Sequence, residues 1–253
     1  MVENRDIKVK SLQKALEILN YFTEKPLLGV TEISEHFGLY KSTVHNILST
    51  LKAMEYLEQD EQSGKYRLGI QVFNLSKAMA DTYLITKIAM PYMQEIANQT
   101  NERVYLAVPY RDEVLYLEAM YPEAAVELMR SILGERAKMY CTGLGKAMLA
   151  YMGEQKIREY LDTHEFEAFT DKSITDKGIF YQELACTRQR GYAVDDMEHE
   201  FGIKCIAMPI FDRSRKVYAA VSISGIATHF TEENIDKWAM LLKKYVSKIE
   251  SRL

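Results

Sequence analysis

The chain has 253 residues, enough for one large domain or two modest ones, each with its own core. Apolar residues make up 47% and charged residues 27% of the chain, which is typical of globular proteins rather than of disordered ones. With a net charge of -4, the chain has no overall basicity that would attract a polyanion, so any surface that binds nucleic acid must be local.

Cysteine usage and the N-terminus bear on the cellular compartment. Cys141, Cys186 and Cys205 are odd in number and far apart, which favours neither a disulfide framework nor a zinc site. The first ten residues, MVENRDIKVK, lack the apolar core of a signal peptide, and no apolar run reaches the roughly 18 residues that a membrane span needs. These features predict a soluble cytoplasmic protein with no bound metal and no membrane partner.

Two short helices are predicted at the N-terminus. Apolar residues recur at intervals of three and four in the first of them, which is predicted over residues 8 to 24: Val9, Leu12, Leu16, Leu19 and Phe22. After a break at Pro26 and Gly29, Thr31 is the predicted N-cap of the second helix, which ends at Gly38.

A third helix follows within a few residues. Its apolar positions fall at i, i+3, i+4 and i+7, on one face: Val44, Ile47, Leu48 and Leu51. The opposite face carries short or basic hydrogen-bonding side chains and no carboxylate: Lys41, Ser42, Thr43, His45, Asn46, Ser49, Thr50 and Lys52. The short connection between the second and third helices predicts a helix-turn-helix.

A β-hairpin with a basic outer face is predicted next. Tyr66 and Leu68 alternate with Lys65 and Arg67, and Gly64 supplies the turn. Three helices followed by such a hairpin indicate a winged helix-turn-helix over residues 8–70.

The polar face of the third helix suits duplex DNA, because hydroxyl and amide groups reach phosphates and base edges without the desolvation cost of carboxylates. Asn46 can contact N6 and N7 of adenine, and His45 a phosphate or a guanine. Lys65 and Arg67 of the hairpin, the wing cations, are expected to lie over the DNA backbone or the minor groove. The predicted DNA-binding residues are Lys41, Ser42, Thr43, His45, Asn46, Lys65 and Arg67. The alternative is a solvated face on a module that binds protein.

A linker helix is predicted over residues 71–88, with Pro91 in the first turn of a new helix. β-rich runs then alternate with helical stretches, which predicts an α+β domain over residues 89–253. A final helix is opened by Thr231.

Three stretches of the second domain have site character. Thr142 is a predicted N-cap followed by Gly143 and Leu144, and free N–H groups at a helix start attract anions. An acidic cluster precedes Cys205 in the chain. Ser222 and Ser224 share one face of a strand, where they are either exposed or lining a polar pocket.

Five stretches in this order resemble signature stretches of the IclR family of bacterial transcription regulators: GLYKSTVHNIL, YRLGIQVFNLSKA, TGLGKAMLA, GYAVDDMEHEFGIKCIAMPIFD and AAVSISG. The resemblance covers essentially the whole chain. It implies a winged helix that dimerises on operator DNA, and a linker helix to an effector domain with a curved antiparallel sheet flanked by helices, as a homodimer or homotetramer. It also implies a repressor of a catabolic operon gated by a small organic acid, without enzymatic activity and without a cofactor.

In the family, the effector's carboxylate binds backbone amides at the helix start, and an aspartate, a cysteine and two serines complete the pocket. On this chain the resemblance implies the residues Gly143, Leu144, Asp195, Cys205, Ser222 and Ser224. Because Met197 interrupts the acidic run, Asp196 remains an alternative to Asp195. Asn46 stands where many members carry arginine, so the operator sequence is not transferable.

Two rival functions belong to other classes. Cys205, His199 and an aspartate are the residue types of a cysteine hydrolase or redox enzyme, although no motif places a base beside the cysteine. The other rival is an adaptor whose winged helix binds protein rather than DNA.

Overall fold

The computed structural model describes residues 7–82, 84–123 and 133–253. The chain forms two compact units, Met1–Thr82 and Tyr83–Leu253. Within the described residues, no helix is both long and apolar enough to cross a membrane.

The first unit is a winged helix-turn-helix. Its helices are α1 (Lys10–Tyr21), α2 (Val30–Phe37) and α3 (Lys41–Ala53), its wing strands are β1 (Leu57–Gln59) and β2 (Tyr66–Leu68), and α4 (Ile70–Thr82) follows. The strands pair antiparallel with Leu57 opposite Leu68, and Leu28 bridges to Tyr66. The core contains Ile18, Tyr21, Phe22, Leu28, Ile33, Val44, Leu48, Leu57 and Tyr66.

Two local predictions for this unit are wrong. Gly29, not Thr31, is the N-cap of α2, and the carboxylate of Glu32 accepts the N–H of Gly29 at 2.7 Å, which ties the helix start without a capping hydroxyl. The first helix is shorter than predicted, and its Val9, Leu12 and Leu16 are about half exposed. Leu19 and Phe22 of the same predicted face do pack on the core, so helical periodicity identified α1 and only the C-terminal part of its inward face.

The second unit is built on one antiparallel sheet of six strands in the order β5-β4-β3-β8-β7-β6. The strands are β3 (Arg103–Tyr110), β4 (Glu113–Met120), β5 (Arg136–Lys138), β6 (Ala193–Asp196), β7 (Ile203–Phe211) and β8 (Val217–Ile226). Helices α5 (Leu84–Thr100) and α9 (Glu232–Glu250) pack on one face, and α6 (Gly143–Leu149), α7 (Glu154–Thr163) and α8 (Lys177–Arg190) on the other. The predicted α+β architecture with an antiparallel sheet flanked by helices is confirmed.

Side-chain alternation along β8 separates the two faces. Val221 and Ile223 join the core beneath α5 and α9, whereas Ala220 belongs to the core beneath α6. Ser222 and Ser224 therefore point to the α6 face. Thr231 caps α9, as predicted, by accepting the N–H of Asn234 at 3.2 Å.

The prediction that Pro91 opens a helix is wrong, because α5 runs through it from Leu84 to Thr100. Proline removes one helical N–H, but Ala89, Tyr92 and Met93 on either side are buried in the core of the second unit. Their burial offsets the missing hydrogen bond. The predicted linker helix overlaps α4 and the first turn of α5, and Tyr83 between them lies outside the described residues.

Candidate effector pocket and DNA-binding face

The polar face of α3 is open on the first unit. Lys41, Ser42, His45 and Asn46 are exposed, and Thr43 is half-buried. Val44 and Leu48 on the opposite side are wholly buried, so the helix is anchored by one face and presents the other.

The turn before α3 is held by local geometry. Gly38 adopts the left-handed conformation with φ of 63°, which glycine tolerates without strain. The hydroxyl of Ser34 donates to the carbonyl of Leu39 at 2.6 Å. These contacts fix the angle at which α3 leaves α2.

The wing cations are already paired within the protein. Lys65 lies 3.1 Å from the carboxylate of Glu32, and Arg67 lies 3.2 Å from that of Glu58. Both pairs are largely exposed, so each contributes little to stability and is easily exchanged. Phosphate contacts by these two cations would compete with internal carboxylates, which the sequence pattern did not reveal.

The second unit contains a cavity of about 160 Å³ on the α6 face of the sheet. It is lined by all six residues implied by the family resemblance, together with Arg103, Tyr105, Tyr116, Glu135, Arg136, Ala137, Thr142, His199, Glu200 and Ile203. The six implied residues come from four separate segments of the chain, and the structure brings them to one place.

Strand register is the reason for this convergence. Asp195 lies opposite Cys205, Cys205 opposite Ser224, and Ser224 opposite Arg103, so one row of side chains crosses four strands. The next row contains Ala207, opposite Ser222. A shift of one residue in any pair would turn these side chains to the opposite face.

Helix α6 begins directly above this row. Thr142 caps it, as predicted, by accepting the N–H of Gly145 at 3.1 Å. A Cβ on Gly143 would lie 2.4 Å from Sγ of Cys205, and one on Gly145 would lie 2.3 Å from Cα of Met139. The two glycines are therefore required for close packing, and they bring the backbone of the helix start to the cysteine.

Asp195, not Asp196, faces the cavity. Asp195 is 7% exposed, whereas Asp196 is exposed and pairs with Lys204 at 2.8 Å. Burial raises the pKa of Asp195 to about 7, although the ammonium group of Lys146 acts in the opposite direction. At neutral pH this carboxyl is therefore partly protonated and can donate a hydrogen bond.

A buried ion pair lies behind the cavity. Lys146 on α6 is fully buried, and its Nζ pairs with Oε1 of Glu198. The backbone N–H of Glu198 donates to Oδ1 of Asp195 at 2.8 Å, while Oε2 of Glu198 is buried without a hydrogen-bond partner among the described residues. This network joins α6 to the turn that carries Asp195.

The pair of Cys205 and His199 that the rival enzyme hypothesis requires is not formed. Nδ1 of His199 lies 3.7 Å from Sγ of Cys141 rather than beside Cys205. Burial raises the pKa of Cys205, and burial likewise raises the pKa of Cys141 to about 12, so both remain protonated thiols at neutral pH. No group of three or more potential metal ligands occurs in the part of the chain that is described.

Sequence reasoning missed the wall formed by β3 and β4. Tyr105 and Tyr116 pack edge to face with centroids 5.7 Å apart, and Arg103 begins β3. These residues lie on strands with no site motif, so strand order alone brings them to the cavity. His199, a residue of the rival enzyme hypothesis, also lines the cavity; it is exposed, and partial desolvation of its ring lowers its pKa.

Comparisons with known proteins match both units. A family model described as the IclR helix-turn-helix domain matches residues 11–61, and one described as bacterial transcriptional regulator IclR C-terminal matches residues 77–251. The HTH-type transcriptional regulator KdgR of Escherichia coli (strain K12) is 31% identical over 97% of this chain and 93% of its own. The transcriptional repressor IclR of the same strain is 27% identical over 96% and 89%.

A solved structure resembles the fold. The crystal structure of the Thermotoga maritima IclR superposes with a TM-score of 0.83 at 32% identity, covering 96% of this chain and 98% of that one.

Proposed function

The chain belongs to the IclR family of bacterial transcriptional regulators, and we propose on that premise that it represses a catabolic operon under the control of a small carboxylic acid bound in the cavity of its second unit. Like its relatives, it is a DNA-binding regulator and not an enzyme. Repression is supported by the relative named a transcriptional repressor. We place its action in the cytoplasm, where the operator DNA lies.

The proposed DNA contact is made by α3 in the major groove. Asn46 reads a base edge, His45 contacts a base or a phosphate, and Lys41, Ser42 and Thr43 at the helix start hold phosphates. Lys65 and Arg67 contact the backbone beside the groove by exchanging their internal carboxylate partners for phosphates. The polar face of α3 is exposed while its apolar face is buried in the core, which supports this arrangement.

Asn46→Ala is expected to weaken operator binding by about 1 to 3 kcal/mol and to relax the base preference at one position. Lys65→Ala is expected to weaken binding to all duplexes alike and to lower the salt dependence. Fluorescence anisotropy with promoter duplexes at two salt concentrations measures both effects. Asn74→Ala, on α4, is the matched amide control. Unchanged operator affinity in Asn46→Ala would show that base readout lies elsewhere.

The observation that carries the effector proposal is the single cavity that receives Gly143, Leu144, Asp195, Cys205 and the two serines. Backbone N–H groups at the start of α6 would bind the carboxylate. Ser222 and Ser224 would donate to its oxygens, and Asp195 would bind a hydroxyl or carbonyl of the ligand as acceptor or donor.

Ser222→Ala combined with Ser224→Ala is expected to raise the Kd for the effector about tenfold or more, since each lost hydrogen bond costs roughly 1 kcal/mol. Calorimetric titration of a panel of small carboxylates into the full chain measures it, and operator binding without ligand should be unchanged. Ser214→Ala, in an exposed turn, is the control. An unaltered Kd in the double variant would remove the serines from the site.

Ligand control requires that the acid bind one arrangement of the assembled protein more tightly than another, because equal affinity shifts no equilibrium. We propose a homodimer, or a homotetramer made of two, whose two α3 helices must match half-sites about one helical turn apart or a multiple of it. Effector binding then changes operator affinity by changing their spacing.

A further inference from the structure

Arg103 is a half-buried cation that lines the cavity at the first position of β3. Among the described residues, no carboxylate lies within ion-pair distance of its guanidinium. Arg136, which lines the same cavity, is by contrast paired with Glu113 at 3.3 Å. The carboxylate of Glu102, whose charge acts on Arg103, is paired directly with His229 at 2.6 Å, so the half-buried guanidinium keeps no direct counter-ion among the described residues. An anionic ligand would supply one.

Arg103 lies across the cavity from the start of α6. Along the row of facing residues, Cys205 is followed by Ser224 and then by Arg103. Neighbouring strands are about 4.8 Å apart, so the backbones of Cys205 and Arg103 are separated by about 10 Å. Because Gly143 packs on Cys205, the helix start and Arg103 stand at two ends of one cavity, with the serines between them.

The acidic residues that line the cavity are screened by solvent or engaged elsewhere, so the guanidinium of Arg103 can bind an anion. Glu200 is exposed beside His199, so solvent screens its charge, and Glu135 has its own interactions. Burial raises the pKa of Tyr105, which the positive charge of Arg103 partly counteracts, and burial raises that of Tyr116. Both phenols therefore stay neutral and can donate to an acidic group near Arg103.

We propose that Arg103 is a second anchor for the effector, and that the effector is a small acid with two anionic groups, one at the amides of Gly143 and Leu144 and the other at Arg103. This inference rests on the proposed effector function. The cavity of about 160 Å³ is close to the roughly 150 Å³ that holds a benzene molecule, so an acid of about four to six carbons suits it.

The test compares matched diacids and monoacids by calorimetric titration into the full chain at pH 6: succinate with butyrate, malate with 3-hydroxybutyrate, and glutarate with valerate. Phosphoglycolate is included to distinguish a phosphate from a carboxylate as the second group. A charge-assisted contact predicts a preference of roughly 10- to 100-fold for a doubly anionic ligand. Arg103→Gln should remove this preference without changing the Kd of the monoacids, and Arg103→Lys should retain part of it.

Arg158→Gln is the matched control, because that arginine pairs with Glu154 on α7 and does not line the cavity. It should leave the preference unchanged. Monoacids that bind as tightly as their diacid partners, or a preference that survives Arg103→Gln, would overturn the role of Arg103 while leaving the proposed effector site intact. Failure of every acid to bind would overturn both.

Discussion

Lys146→Met is expected to lower the free energy of unfolding by about 3 to 5 kcal/mol, because it leaves the carboxylate of Glu198 buried without its cation. Oε2 of Glu198 already lacks a hydrogen-bond partner among the described residues, so the local structure offers no ready substitute. Urea unfolding of the full chain, followed by circular dichroism, measures the loss. Lys156→Met, at an exposed pair with Asp112, should cost at most about 1 kcal/mol.

A double variant separates the loss of the ion pair from the loss of packing. Lys146→Met with Glu198→Leu should recover much of the stability, since an apolar pair of similar volume often replaces a buried ion pair at little cost. The deficit of Lys146→Met should also shrink as the pH falls, because burial raises the pKa of Glu198 and a protonated Glu198 needs no cation. Equal losses in the single and double variants at all pH values would mean that packing by the lysine stem dominates.

Asp195→Asn is expected to stabilise the protein at pH 8 and to change little at pH 4. Burial raises the pKa of Asp195 from 3.8 to about 7. Between these two pH values the folded state therefore holds a proton that the unfolded state has released. The folded state is therefore favoured by protonation at low pH, and this stability is lost as the pH rises from about 4 to about 7. Each pKa unit corresponds to about 1.4 kcal/mol, which sets an upper bound of roughly 4 kcal/mol.

Thermal or urea unfolding of both proteins between pH 4 and pH 8 measures this effect. Asp196→Asn is the control, because that carboxylate is exposed and its pair with Lys204 should give a small difference. Parallel stability curves for Asp195→Asn and the parent chain would mean that Asp195 stays ionised in the folded protein.

The protonation state of Asp195 also affects ligand binding. An effector carboxylate at Gly143 would lie beside Asp195, since a Cβ on Gly143 would be 3.6 Å from that of Asp195. Two carboxylates in contact repel, whereas a protonated Asp195 donates to the ligand. Binding should therefore take up a proton near neutral pH in the parent chain and not in Asp195→Asn.

Local chemistry was sufficient to predict part of the fold. The polar outer face of α3 and the hydroxyl caps at Thr142 and Thr231 are properties of short stretches, and they are found where predicted. Pro91 shows the limit of such rules. Proline disfavours a helix interior, but the burial of its neighbours in α5 outweighs that cost.

For the site, the sequence by itself determined where the polar stretches of the second domain lie: the Thr142 helix start, the acidic run before Cys205 and the two serines of β8. Only the tertiary structure decided that they share one cavity, that Asp195 rather than Asp196 faces it, and that Arg103 completes it. The physical reason is strand pairing, because register across β6, β7, β8 and β3 depends on contacts between residues far apart in the chain, which no local pattern encodes.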